Sequence, residues 1–169
     1  KNLNVNDATK RYLSWLHDLE VTKTLEVDGQ SQTIETIKDY IKWHDGKTKF
    51  LLGIYANNDK HIGNFSVRIN VDHRRATIGL MIGDKNYWGK NAVNETRSKI
   101  IDWLFDEKGI NKIESGPMSN NYPAIFNFTK QGWQNEGILK EHYLIDGKKV
   151  DSVQYGITKT EWKELKDKT

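Results

Sequence analysis

Hydrophobic and polar positions follow two rhythms along the chain, and the change from one to the other predicts the elements. Tyr12, Leu13, Trp15 and Leu16 fall on one side of a helix that Asp7 is placed to cap. A polar, acidic connection over residues 19–32 follows, then Ile34, Ile37, Tyr40, Ile41 and His44 mark a second amphipathic helix. The period then drops to two: residues 49–56 read as a strand, 57–60 as a turn and 61–70 as its hairpin partner. After a polar turn at 71–75, residues 76–83 read as a third strand. Helical spacing returns from near Asn91, with Ala92, Thr96, Ile100, Trp103 and Leu104, and delivers a strand at 111–118 parallel to the third. Asn121 can cap a further helix carrying Ile125, Phe126 and Phe128, which Gly132 stops. Two strands joined by a turn at 146–148 complete the order. The pattern is that of an α+β domain with one mixed, mostly antiparallel sheet flanked by helices and holding a central parallel pair.

Composition narrows the chemistry. With 26 Lys and Arg against 23 Asp and Glu, interspersed, a nucleic-acid partner is not expected. No apolar run reaches the roughly 18 residues of a membrane helix, and the start lacks a secretory pattern, so the expectation is a cytoplasmic protein without a membrane partner. The absence of cysteine removes disulfides, thiolate metal sites and a cysteine nucleophile, which favours a direct transfer or a cofactor. The five histidines are scattered without metal-ligand spacing, and no metal is expected. Without repeats or a low-complexity linker, residues 1–169 read as a single domain.

The segment NYWGKNAVNE, residues 86–95, reads as a loop turning into a helix. Unpaired N–H groups and the positive end of a helix dipole make an anion site there, with Gly89 as the turn residue. Read only from these residues, Gly89 could equally be a plain turn glycine before an ordinary packed helix. Together with NYPAIFNFTKQGW at 121–133 and GILKEHYLIDGKKVDSVQYGI at 137–157, the segment resembles the Gcn5-related N-acetyltransferases (GNAT), in the branch of the ribosomal-protein N-terminal acetyltransferases. The likeness spans about residues 7–162 and implies the GNAT fold, its parallel pair splayed apart.

In that family a Gln/Arg-x-x-Gly-x-Gly/Ala motif holds the pyrophosphate of acetyl-CoA on backbone N–H groups. Here it falls on Trp88, Gly89, Lys90, Asn91, Ala92 and Val93, with Asn91 and Val93 departing from small residues. Asn91 tolerates a left-handed backbone and can cap the helix. The branched Val93 either crowds the phosphates or turns toward the sheet, and sequence leaves both open. The resemblance further implies a backbone N–H near Met81 or Ile82 facing the thioester oxygen, and Asn121 against the pantetheine arm.

A substrate amine would attack the thioester directly, so the protein must polarise the carbonyl, take a proton and supply one to the departing thiolate. The family's acid tyrosine corresponds to Phe128, leaving Tyr122, Tyr155 or water as the source. Glu114 is the base the resemblance implies, with an ordinary solvated strand residue as the alternative. Glu20, Glu26 and Asp28 border the family's acceptor site and would attract an ammonium. The expected acceptor is a small primary amine, by preference on a nucleotide-linked sugar; a protein or peptide N-terminus is the second reading. A GNAT-fold binding module without catalysis is the third, motivated by Asn91, Val93 and Phe128. Exposed strand edges and the hairpin at 146–151 allow a homodimer.

Overall fold

A computed structural model of the chain describes residues 1–168. The first three helices are α1 (Lys10–Leu16), α2 (Leu19–Thr22) and α3 (Ile34–Trp43). Thr9, not Asp7, caps α1: its hydroxyl accepts from Tyr12 N–H at 3.2 Å, while Asp7 closes a short 3₁₀ turn with Asn4. Threonine wins because it stands directly before the periodic residues. The polar, acidic connection opens with one ordered helical turn, α2, capped by Asp18. A Thr33–Thr36 capping box begins α3.

The strands are β1 (Lys49–Ala56), β2 (Lys60–Asn70), β3 (Arg75–Ile82), β4 (Lys112–Ser115), β5 (Gln134–Ile145) and β6 (Lys148–Thr158). They form one six-stranded mixed sheet in the order β1-β2-β3-β4-β6-β5. β3 and β4 are parallel; β4 with β6 and β5 with β6 are antiparallel. The helices α4 (Ala92–Asp106), α5 (Tyr122–Lys130) and α6 (Lys159–Asp167) complete the chain. The α+β, single-mixed-sheet reading therefore holds.

β4 stops earlier than its hydrophobic pattern suggests. At Gly116 a side chain would lie 2.9 Å from Ser152 Oγ and 2.6 Å from Gln154 Nε2, and the Gly116 carbonyl accepts from Tyr143 and Ser152 hydroxyls. The backbone oxygen is consumed by side chains instead of a ladder. The β5–β6 turn is Asp146–Gly147, both at positive φ (49° and 74°), as a two-residue hairpin requires.

The chain forms two compact units, residues 1–69 with 78–90, and residues 70–77 with 91 onward. The first has a core of Tyr12, Trp15, Leu16, Ile37, Ile41, Leu51 and Met81. In the second, Ile101, Leu104, Phe105, Ile110, Ile113 and Ile157 are buried. Each such side chain contributes roughly 1.5–3 kcal/mol of transfer free energy.

Candidate active site

The loop between β3 and α4 is fixed before it reaches the helix. Gly83 lies flush against α1, where any Cβ would fall 2.0 Å from Trp15 Cδ2. Asp84 caps the next turn through Asn86 N–H and pairs with Lys60 at 2.7 Å. The Trp88 indole N–H donates to the Ile82 carbonyl at 2.9 Å, tying the loop to the end of β3. Gly89 then takes φ +70° with open space where a side chain would stand, the combination expected where another molecule approaches the backbone.

Asn91 precedes α4 but does not cap it. Its amide donates to Glu95 Oε1 at 3.3 Å, and the first intrahelical bond is Glu95 N–H to Asn91 C=O. Among the described residues every other α-helix is side-chain capped, by Thr9, Asp18, Thr33, Asn121 and Thr158. Asn91 thus supplies no side-chain acceptor to the first turn of the 15-residue α4, whose N–H groups sit at the positive end of its dipole. Val93 is buried, so of the two orientations open to its branched side chain it takes the inward one. These features fit a pyrophosphate.

Met81 is buried in the core of the first unit, so backbone is what it has left to offer. Parallel pairing covers Arg75–Lys112, Ala76–Ile113 and Thr77–Glu114; β3 continues to Ile82 while β4 ends at Ser115. Glu114 is half-buried and bridged by Arg75 Nη1 at 3.2 Å. Asn121 caps α5 through Ala124 N–H. Tyr122 opens α5 and is 73% exposed, whereas Tyr155 is buried and stacked on Phe128 at 5.2 Å.

In the acidic connection, Lys85 Nζ sits between Asp18 Oδ2 and Glu20 Oε2, both at 2.7 Å. Glu20 therefore already holds an ammonium, the chain's own, while Glu26 and Asp28 are exposed. The Lys85 ammonium holds the Asp18 carboxyl below the usual carboxylate range, and both carboxylates raise the lysine. Among the described residues no cluster of three or more His, Asp or Glu is arranged to hold a metal.

Sequence reasoning passed over Arg97 and α6. Arg97 lies on the apolar stripe of α4, four residues from both Val93 and Ile101, and the structure buries it. For α6 the signal was a Thr158-x-x-Glu161 capping box, formed with both bonds present.

The fold is one mixed six-stranded sheet flanked by helices, with a helix start after β3 that fits an anion. The family description "Acetyltransferase (GNAT) domain" matches residues 2–134. The chain belongs to the GNAT acetyltransferase family and is an N-acetyltransferase with acetyl-CoA as donor. An uncharacterized N-acetyltransferase of Bacillus licheniformis is 27% identical, covering 96% of this chain and 93% of that protein. The ribosomal protein uS5-alanine N-acetyltransferase of Escherichia coli is 26% identical over 72% of this chain and 63% of its own. Spermidine N-acetyltransferase from Vibrio cholerae, solved with CoA and spermine, superposes with a TM-score of 0.86 at 17% identity, covering 96% of this chain and 95% of that one.

Proposed function

We propose that the chain, acting as one acetyltransferase domain, acetylates the primary amine of a small molecule, with an amino group on a nucleotide-linked sugar as the first acceptor to test. The donor side rests on the uncapped start of α4 beside Gly89 at φ +70°. There the backbone of residues 88–93, led by the N–H groups of the first turn, binds the pyrophosphate, and Lys90 adds a positive charge from the loop. Acetyl-CoA supplies an activated acetyl thioester. The backbone of Met81 and Ile82 orients its carbonyl, and Asn121, already fixed as a helix cap, borders the pantetheine arm.

On the acceptor side the acidic connection supports an amine: Asp18 and Glu20 bind one ammonium, and Glu26 and Asp28 present carboxylates to solvent. Glu114 takes a proton from the ammonium so that nitrogen can attack; the C–N bond forms, the C–S bond breaks, and Tyr122, the accessible hydroxyl, returns a proton to the sulfur. A peptide N-terminus is the second acceptor, favoured by the E. coli relative. β5, exposed along most of its length at the sheet edge, is where a homodimer would pair.

The test is release of free thiol from acetyl-CoA with a panel of nucleotide-linked amino sugars, polyamines and peptides. Saturable release with the amino sugars supports the reading; release only with peptides overturns the acceptor assignment.

A further inference from the structure

Arg97 is 2% exposed, and among the described residues no carboxylate pairs with it. Its partners are neutral: Nη2 donates to Asn94 Oδ1 at 2.9 Å and to the Asn127 carbonyl at 2.8 Å, and Nε donates to Gln131 Oε1. The guanidinium carbon lies 4.3 Å from the centre of the Phe128 ring. Burial without a counter-charge pushes its pKa down to about 9. Buried charges in proteins are ordinarily paired, so a fully buried cation on neutral acceptors needs a reason.

The bond to Asn94 gives its direction. Asn94 is the third residue of α4, and long side chains on a helix lean toward its N-terminus. The cation thus stands behind the same first turn that lacks a side-chain cap. Resting on the pyrophosphate reading above, we propose that Arg97 is a positioning residue for the donor: its fixed charge reinforces the dipole of α4 and makes the site selective for the phosphorylated half of acetyl-CoA. The charge acts through the helix, without touching the ligand. A buried cation suits this role because salt and water screen it far less than a surface lysine.

The competing role is structural, since the same hydrogen bonds join α4 to the last turn of α5. Two donors separate the roles: acetyl-CoA, and S-acetylpantetheine, which carries the same thioester without phosphates. Arg97→Gln should raise KM for acetyl-CoA about tenfold or more while leaving that for S-acetylpantetheine within about twofold. Arg97→Lys, which keeps the charge but loses the fork, should preserve the ratio of the two KM values. If Arg97→Gln does not fold, Arg97→Lys still decides, because a lysine variant that loses the ratio overturns the proposal. Equal losses on both donors in Arg97→Gln make Arg97 a structural tie and overturn it too. A wild-type protein that ignores acetyl-CoA altogether overturns the pyrophosphate reading itself, whereas a responsive wild type with unchanged ratios in both variants overturns only the role of Arg97.

Discussion

At the residue scale the account turns on side chains whose direction their type leaves undecided. Val93 is the clearest: a branched residue in the first turn of α4, it is buried, which under the proposed donor site keeps it off the phosphates. Val93→Gly should therefore cost about 2–4 kcal/mol through a cavity and a helical glycine, read as a fall in urea midpoint, with acetyl-CoA affinity unchanged within about twofold by calorimetry. Tighter binding with no loss of stability would show that the valine crowds the ligand after all. Gly89 is the converse case, since open space surrounds it and only its φ of +70° is demanding. Gly89→Ala should cost roughly 1 kcal/mol of stability, read as a fall in the same urea midpoint.

At this scale the sequence carried residue types but not partners. Asn91 was legible as a helix-start residue, yet whether its amide would cap the helix or reach Glu95 depends on a backbone angle that no pattern reports. Glu20 was legible as a carboxylate that attracts an ammonium. That the ammonium is Lys85, 65 positions away, is a tertiary fact.

Among elements, the acidic connection and the loop at 84–85 are held by ion pairs with a predictable pH signature. Lys60 holds the Asp84 carboxyl below its ordinary value, and Lys85 does the same for Asp18. A depressed folded-state pKa means the stabilising contribution is present above the unfolded value, near 3.9, and is lost as pH falls through the folded one. The urea midpoint should stay level from about pH 7 to 5 and fall below about pH 4; a Lys60→Met, Lys85→Met double variant should show a shallower fall. An identical acid limb in that variant would mean these pairs contribute nothing. At the other end of the chain, Thr158→Ala removes the cap of α6 and should cost about 1 kcal/mol.

Element existence was the most readable level, because β1 to β3 and α3 carry dominant periods of two or 3.6 and the 3.6 period of α4 survives the interruption at Arg97. What failed was length: β4 ends at Ser115 because hydroxyls from β5 and β6 claim the Gly116 carbonyl. The competing hydroxyls leave no trace in the strand's own sequence, whose one stop signal is Pro117, a residue without an N–H for the ladder.

Taken as a whole molecule, the chain is a GNAT N-acetyltransferase with a donor site proposed at the start of α4, and ligand binding to the folded state must raise its stability. At a hundredfold excess of acetyl-CoA over Kd the gain is about 2.7 kcal/mol, which for a domain of this size shifts Tm by roughly 5–10 °C. The most direct test is thermal melting with millimolar acetyl-CoA, with ATP at the same concentration as an anion control. A shift of several degrees with acetyl-CoA and little with ATP is the predicted result; no shift with acetyl-CoA, or equal shifts with both, contradicts a donor site at Gly89 and the start of α4.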